Sequence, residues 1–312
     1  MERLRLFALV LAVSIATGLC FATVSVAQPR STSDSNLSSE PPLPANVVSR
    51  HRFVAGVKCD FPPFGYLTSS GEHAGFEIDV VREFAKLAFG SKDAVTLTCV
   101  TGTNRFAYLE SGRVDFLMAT VAYLASRAEI VDFSNPYFES GGVLLVPKNS
   151  PIKGLTDIQN RPVAGFQGDS NDQWLKRCMP AGTFNPVYVS DVNQQLEALE
   201  SGRAVAIDED AALLSYLVYK SPMKYRLVGP EFGITTWGVA VKKGNTRMLS
   251  WLNAALARLV ETNTLTALFE KDVPGPEKIG IALSRFLATK SSPLQNPTNE
   301  EYLSCKNARA LN

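Results

Sequence analysis

Residues 53–90 read FVAGVKCDFPPFGYLTSSGEHAGFEIDVVREFAKLAFG. The stretch begins with a short β-type run, Phe53–Lys58, and ends with a helix-type segment from Asp79 to Phe89. In that segment the apolar residues recur at the three-to-four spacing that places them on one helix face. Gly90 follows at the position where a helix end favours a left-handed residue. The stretch therefore predicts a strand followed by a helix.

The same alternation of β-type and helix-type segments continues along the chain. Further β-type runs are Val95–Val100, Val114–Ala119, Val143–Val146, Pro186–Val189 and Val205–Ile207. Strands that alternate with helices are typical of an α/β fold whose sheets are mostly parallel.

One five-residue sequence, Leu-Glu-Ser-Gly-Arg, occurs twice, at residues 109–113 and 199–203. Each copy stands where a helix-type segment ends, at Gly112 or Gly202, and a β-type run begins. Nothing else recurs at this period, so the chain is not a tandem repeat. The two copies predict two similar α/β lobes, in agreement with a length of 312 residues, which is large for a single core.

Composition excludes several classes of function. The chain has 31 Lys and Arg residues against 30 Asp and Glu, so it lacks the electrostatic signature of nucleic-acid or anionic-membrane binding. Its two histidines, His51 and His73, argue against a histidine zinc site or a His-dependent triad. The motifs of serine hydrolases, P-loop proteins, zinc peptidases and dinucleotide-binding folds are also missing. We expect no metal and no cofactor.

The acidic trio Asp208-Glu209-Asp210 is the one cluster that suggests metal or paired-carboxylate chemistry. Neighbours on an extended segment point to opposite faces, so at most Asp208 and Asp210 converge. The alternative for Asp208 and Glu209 is that they are solvated loop carboxylates.

The first 27 residues predict an export signal. A basic head, MERLR, precedes an apolar run from Leu6 to Ala27, and small residues stand at Ser25 and Ala27, where a signal peptidase cleaves. An uncleaved membrane anchor is the alternative, because the run approaches the ~20 residues that span a bilayer. Residues 28–48 are rich in Ser, Pro and Asn and predict a flexible linker.

Four cysteines follow the signal, and none has CxxC spacing. They are Cys59, Cys99, Cys178 and Cys305. Disulfides form in exported proteins and three pairings are open; Cys59 and Cys99 both lie at ends of β-type runs, which favours that pair. Residues 276–312 predict a C-terminal helix, up to Lys290, and an irregular tail.

Several segments, in order, resemble a known family. They are Gly56–Tyr66, Gly75–Asp79, Asp115–Ser134 and Gly202–Leu214. Over about residues 49–275 the chain resembles the bacterial extracellular solute-binding proteins of polar-amino-acid ABC transporters, and most closely the branch that binds glutamate, aspartate or glutamine.

The resemblance implies the two-lobed, type II Venus-flytrap fold of periplasmic binding proteins. Lobe 1 would comprise residues 49–137 plus 238–275 and lobe 2 residues 141–234, with crossing strands near Tyr137–Gly141 and Thr235–Gly238 as a hinge. The implied function is that of a periplasmic receptor, a monomer and not an enzyme. It would close on a polar amino acid and deliver it to an ABC transporter permease. We expect the side chain of that amino acid to be acidic.

The resemblance also implies the residues that hold the backbone of the ligand. Arg127 would clamp its α-carboxylate, a task for which guanidinium is well suited; the alternative is a surface ion pair with Glu129. Asp210 would bind the α-ammonium, and the competing explanation is a helix N-cap. Ser170, at the start of a helix, would add a hydroxyl and a backbone N–H to the carboxylate.

Other family positions map onto Asp60, Phe61, Arg105, Ala119 and Thr120. Arg105 would reach a distal carboxylate of the ligand, unless it is only a solvated residue at a helix start. Asp60 and Phe61 follow the first strand as a cleft carboxylate and an aromatic contact. If Asp60 pairs with Arg105 instead, a neutral ligand such as glutamine is favoured.

Two positions depart from the family pattern. Ala122 stands where a hydroxyl residue is usual, so one carboxylate hydrogen bond is missing, although Thr120 remains nearby. Asp169 replaces a Ser or Thr just before Ser170, and its charge would repel the ligand carboxylate unless it is turned away as a helix cap.

Two other functions are open. The cyclohexadienyl dehydratases resemble these receptors and act on prephenate or arogenate, and Glu209, Asp169 or Asp60 would be the general acid. A sensory clamp module with another ligand, or none, is the remaining alternative.

Overall fold

A computed structural model describes residues 41–273. The strands are β1 Phe53–Val57, β2 Asp60–Phe61, β3 Gly65–Leu67, β4 His73–Ala74, β5 Val95–Cys99, β6 Phe116–Met118, β7 Val131–Pro147, β8 Pro162–Gly165, β9 Asn185–Tyr188, β10 Ala206–Asp210 and β11 Tyr225–Lys242. The helices are α1 Ala45–Arg50, α2 Phe76–Phe89, α3 Arg105–Glu110, α4 Ala125–Ala128, α5 Ser170–Cys178, α6 Val192–Glu200, α7 Ala211–Lys220, α8 Thr246–Glu261 and α9 Thr264–Asp272. A short 3-10 helix spans Leu155–Ile158.

Eight strands form one mixed sheet in the order β5-β1-β6-β11-β7-β10-β8-β9, and β2, β3 and β4 form a small second sheet. β1 pairs in parallel with β5 and β6, and β8 pairs in parallel with β9 and β10. The predicted α/β class is confirmed. Short parallel strands lie on both sides of the two long strands, β7 and β11.

The two long strands run antiparallel through the middle of the sheet. Their register shifts repeatedly between Val228 and Ala240, and Ser140 pairs with Thr235 in this irregular part. Gly141 is required there, because a Cβ would lie 2.5 Å from the carbonyl oxygen of Phe232. The predicted crossing strands are therefore present, whereas the lobe boundaries placed beside them stay a prediction.

Helix α2 begins at Phe76, three residues before the predicted start. Gly75 precedes it with a φ of 116°, and a Cβ on this residue would lie 2.5 Å from the carbonyl oxygen of Phe64. The first turn thus packs tightly on the β2–β3 hairpin. The buried face of α2 covers the sheet, as its apolar spacing predicts.

The repeated Leu-Glu-Ser-Gly-Arg segments adopt the predicted form. Helices α3 and α6 end there, and Gly112 and Gly202 have φ angles of 74° and 75°. Each segment leads into a sheet strand, β6 or β10.

The predictions about the disulfide, the linker and the chain ends can be compared with the structure. The Cys59–Cys99 disulfide is confirmed, with a Cα–Cα distance of 5.5 Å. The predicted linker is wrong for residues 45–48, because they begin helix α1 and Val47 is buried. The export signal, Cys305 and the C-terminal helix and tail lie outside the described residues. Within residues 41–273, none of the helices has the length and hydrophobicity needed to cross a bilayer.

Candidate functional site

The candidate residues lie at the carboxyl ends of the parallel strands. Lys58 and Asp60 follow β1, Thr120 follows β6, Asp169 follows β8, and Asp210 ends β10. Ligands of open α/β sheets bind outside these strand ends. The two parallel groups of the sheet thus supply residues to one cleft.

Two buried arginines form the cationic side of the cleft. Arg105 and Arg127 are 5% and 7% exposed, and the central guanidinium carbons lie 5.2 and 5.6 Å from the ring centroid of Phe106. Arg127 donates a hydrogen bond of 2.9 Å to the carbonyl oxygen of Ala122. Arg105 is therefore not a solvated helix-start residue, and burial is incompatible with the surface ion pair considered for Arg127 and Glu129.

The turn at Ala119 and Thr120 is held by buried side chains. Arg105 donates through Nη1 to the carbonyl oxygens of Ala119, at 2.8 Å, and Thr120, at 3.4 Å. Thr120 has a φ of 48°, and its N–H donates to Oε1 of Glu77 at 2.9 Å. The Tyr137 hydroxyl donates to the same oxygen. These contacts fix the turn that follows β6.

Strand β10 ends in three acidic residues. Asp208, Glu209 and Asp210 are all buried, so the reading of Asp208 and Glu209 as solvated loop carboxylates is wrong. Helices α5, α6 and α7 pack on β10, which removes these side chains from solvent, and β7 and β8 pair with the edges of the strand. Glu209 accepts hydrogen bonds from Asn171 Nδ2 at 3.3 Å and Gln195 Nε2 at 3.4 Å.

Asp210 occupies the N-cap position of α7, but its side chain makes no capping hydrogen bond. The hydroxyl of Ser140 instead accepts from the N–H of Ala212 at 3.4 Å. The carboxylate of Asp210 is hydrogen-bonded to Asn171. The competing explanation of Asp210 as a side-chain cap therefore does not hold.

Asp169 and Ser170 start helix α5. Oδ1 of Asp169 accepts from the N–H of Asp172 at 2.7 Å, which is the expected cap. Ser170 is the first helical residue and is buried. Asp169 nonetheless stays in the cleft, because it borders the same cavity as Arg127.

Asp60 pairs with Lys58 at 2.8 Å. This contact replaces the Asp60–Arg105 pair that was considered as an alternative. Phe61 is buried, with its ring centroid 6.1 Å from that of Trp237 on β11. Lys58 Nζ lies 5.9 Å from the centroid of the Phe61 ring and 6.0 Å from that of the Phe166 ring. This amine therefore lies between the two rings.

Burial shifts the pKa of the facing charges. It lowers the pKa of Arg127 to about 9, with a further lowering by Arg105, while Asp169 and Asp210 oppose the shift. It raises the pKa of Asp210 to about 8, which repulsion by Asp169 increases, and the pKa of Asp169 to about 6. Basic and acidic groups are thus buried within electrostatic reach of one another, an arrangement suited to a dipolar molecule.

A cavity of about 240 Å³ opens beside Arg127. Its lining includes Phe106, Phe166, Asp169 and Gln173. Of the eight predicted ligand residues, all of which are described, Arg127 alone lines this cavity. Asp60, Phe61, Arg105, Ala119, Thr120, Ser170 and Asp210 lie outside its lining.

Sequence reasoning missed several residues of the cleft. Lys58 stands two residues before Asp60, and Phe106 follows Arg105. Neither residue belongs to a motif that would have marked it as part of the site. Glu77 belongs to the Gly75–Asp79 segment, whose acidic residue was a usable signal.

A cluster of metal-ligating atoms lies elsewhere, at Cys59, His73 and Cys99. In the part of the chain that the structure describes, these atoms lie within 4.8 Å of one another. Both sulfurs are joined in a disulfide, so they are not available as thiolate ligands. The residues do not fit a metal.

The chain matches the family model of bacterial extracellular solute-binding proteins, family 3, over residues 53–273. It is 31% identical over 229 residues to the ABC transporter glutamine-binding protein GlnH of Bacillus subtilis (strain 168), covering 73% of this chain and 83% of that protein.

Solved structures agree with this match. The solute receptor for L-cysteine of Neisseria gonorrhoeae has a TM-score of 0.70 at 29% identity, covering 73% of this chain and 92% of that one. An ancestral arginine-binding protein bound to arginine has a TM-score of 0.66 at 29% identity, covering 72% and 98%. The chain belongs to family 3 of the bacterial extracellular solute-binding proteins, and its fold is that of the type II amino-acid-binding proteins.

Proposed function

We propose that this family 3 protein captures a polar amino acid between two lobes and delivers it to an ABC transporter permease. One observation carries the proposal: Arg127 on helix α4 and Asp210 at the end of β10 are both buried, and Asp210 acts on the pKa of Arg127. The relatives named above bind glutamine, L-cysteine and arginine. Each of these ligands is dipolar at its α-carbon.

The proposed roles follow the charges. Arg127 binds the α-carboxylate through charge-assisted hydrogen bonds, and Asp210 binds the α-ammonium. Ser170 adds its hydroxyl at the N-terminus of α5. The remaining predicted residues, Asp60, Phe61, Arg105, Ala119 and Thr120, surround the ligand. Closure of lobe 1 (49–137 plus 238–275) onto lobe 2 (141–234) is favoured because the ligand contacts both.

The proposal includes export, through a signal in residues 1–27, and action as a monomer. It also includes the absence of catalysis. Incubation with prephenate, followed by the absorbance of phenylpyruvate, tests this last point. Product formation above a buffer blank would favour the dehydratase alternative.

A thermal-shift screen against the common amino acids tests the receptor function directly. A ligand that binds only the folded state raises the Tm with concentration. At least one polar amino acid is expected to raise the Tm. If none does, the receptor proposal fails and the sensory alternative takes its place.

A further inference from the structure

Helix α5 places a buried amide, that of Asn171, beside the acidic end of β10. Asn171 is the second residue of the helix and is 2% exposed. Its Nδ2 donates to Oε1 of Glu209 at 3.3 Å, and its side chain is also hydrogen-bonded to the carboxyl group of Asp210. The nitrogen of a side-chain amide carries two protons, so this one group can serve both acids.

The backbone opposite Asp210 leaves room for this amide. Gly142 on β7 pairs with Asp210. A Cβ on Gly142 would lie 3.0 Å from Oδ1 of Asn171 and 2.5 Å from Cε2 of Phe232. A larger residue at this position would displace the amide or the ring, because both are buried. Packing therefore holds the amide against the end of β10.

The hydrogen bond from Asn171 opposes the effects that disfavour a charge on Asp210. The pKa of Asp210 is raised to about 8 by burial and by repulsion from Asp169 and Glu231, against the bond from Asn171, which lowers it. Attraction by Arg105 also lowers this pKa, but by less. The donor in direct contact thus supports the ionised form of Asp210 more than the nearby cation does.

Titratable or charged groups of other described elements also face Asp210: Arg105 on α3, Arg127 on α4, Tyr137 on β7, Asp169 before α5 and Glu231 on β11. On its own strand, Asp208 and Glu209 add two further acids. A negative charge at Asp210 therefore depends on donors that reach the carboxyl group directly. Asn171 is such a donor, and an amide does not titrate.

We propose that Asn171 is a positioning residue: its buried amide holds the carboxyl groups of Glu209 and Asp210 in place and favours the ionised form of Asp210, which attracts the α-ammonium of an amino acid. This role rests on the proposed function, in which Asp210 binds that ammonium. Asn171 acts through Asp210 and needs no contact with the amino acid itself.

An NMR titration of the side-chain carboxyl carbons of the ligand-free protein tests this role. The Asp210 signal is assigned from its loss in Asp210→Asn. Asn171→Leu keeps a similar volume and removes both donors, and we expect the midpoint of the Asp210 titration to rise by about one pH unit. If that variant does not fold, Asn171→Ala removes the same donors.

Gln195→Leu is the matched control. Gln195 is also a buried amide, and its Nε2 donates to Oε2 of Glu209 at 3.4 Å. Its second acceptor is the carbonyl oxygen of Asp208, at 3.5 Å, rather than the carboxyl group of Asp210. Loss of Gln195 should not raise the midpoint of Asp210. Equal rises in the two variants would overturn the specific role of Asn171.

Amino-acid binding should follow the same titration. The probe is the amino acid that raises the Tm most in the thermal-shift screen, and calorimetry measures its affinity from pH 6.5 to pH 8.5. Asn171→Leu is expected to bind this probe about tenfold more weakly than the wild type at pH 7, because less of Asp210 is ionised. The difference should shrink toward pH 8.5, which a merely structural defect would not produce.

The possible failures can be told apart. An unchanged midpoint of Asp210 in Asn171→Leu overturns the inference, whether or not an amino acid binds. A raised midpoint with unaltered affinity overturns the role of Asp210 at the ammonium, and with it the part of the proposed function on which the inference rests. If no common amino acid raises the Tm of the wild type, the receptor function fails, while the titration still decides the effect of Asn171 on Asp210.

Discussion

Two strands of the sheet, β6 and β10, follow the same five residues and end with opposite chemistry. Both follow a helix that closes on a left-handed glycine, Gly112 or Gly202. β6 leads into the uncharged turn Ala119-Thr120, against which Arg105 lies. β10 ends in Asp208-Glu209-Asp210.

Under the proposed function, one local structure serves both halves of a dipolar site. The helix-glycine-strand unit places a strand end at the cleft, and the residues at that end determine the charge. Arg105 and Arg127 lie near the end of β6, whereas the carboxyl groups belong to β10 itself. Under the proposed function, a ligand with separated charges would lie between them, with each end facing a group of opposite charge.

The largest effect is expected from removing the cation beside the β6 end. Arg127→Ala should weaken amino-acid binding by about 100-fold or more, because the ligand carboxylate is left without its charged partner in a buried site. Titration calorimetry measures this loss, and an unchanged circular dichroism spectrum shows that the fold is intact.

Arg113→Ala is the control, since Arg113 is exposed and stacks on Tyr108 at 4.2 Å. It should bind as the wild-type protein does. Equal affinity of the Arg127 variant and the wild type would refute the clamp.

Removing the anion at the β10 end should have the next largest effect. Asp210→Asn keeps the shape and the contact to Asn171 but loses the charge that attracts the ligand ammonium. We expect affinity to fall by about 30-fold. Asp157→Asn, at an exposed position of the 3-10 helix, should leave calorimetric affinity unaltered, and equal losses in both variants would argue against a specific role of Asp210.

The pH dependence of stability distinguishes buried carboxyl groups from ordinary surface carboxylates. Burial raises the pKa of Asp169 to about 6, of Glu77 to about 7 and of Asp210 to about 8. Repulsion by Glu231 adds to the shift of Asp210, while Arg105 opposes it. These groups hold more protons in the folded state than in the unfolded state, so their contribution to stability is complete near pH 4 and is lost as the pH rises through 6 to 8.

We therefore expect the ligand-free protein to lose several kcal/mol of unfolding free energy between pH 5 and pH 8.5, at most roughly 8 kcal/mol if the three groups titrate independently. Denaturant unfolding at both pH values measures this change. The loss should be smaller in Asp210→Asn, and a stability that rises across this interval would contradict the assignment.

The smallest effect concerns the support of the β6 turn. Tyr137→Phe removes the hydroxyl that donates to Glu77, which in turn holds the N–H of Thr120. The free energy of unfolding should fall by about 1 kcal/mol. The loss of binding affinity should be smaller than in the Asp210→Asn variant. Tyr225→Phe, which removes a hydroxyl bound to the exposed Glu200, should cost less, as urea unfolding would show.

Much of the fold could be predicted because its signals are local. The apolar spacing of α2, the two glycine-closed helices and the positions of β1, β5 and β9 depend on neighbouring residues. The long strands were harder. β11 runs for 18 residues and includes Gly229, Gly233 and Gly238, which interrupt the pattern of a single strand.

The candidate site was predicted by residue type and not by contact. Arg127 and Asp210 were predicted because their charges suit a dipolar ligand at positions shared with a family, whereas Asp169 was predicted only as a departure from that family's pattern. Their partners were predicted less well. Asp60 pairs with its near neighbour Lys58, and the cap of α7 comes from Ser140, 72 residues away from Ala212.

The sequence by itself determined the α/β order and the residue types at each strand end, since these depend on composition and short-range spacing, and it favoured the Cys59–Cys99 pair among three possible pairings. The tertiary structure alone decided that Asp208 and Glu209 are buried and that Asp169 borders the same cavity as Arg127. The physical reason is that burial and charge pairing depend on which distant segments pack together. The side chains of β10 are removed from solvent because helices α5, α6 and α7 pack on the strand.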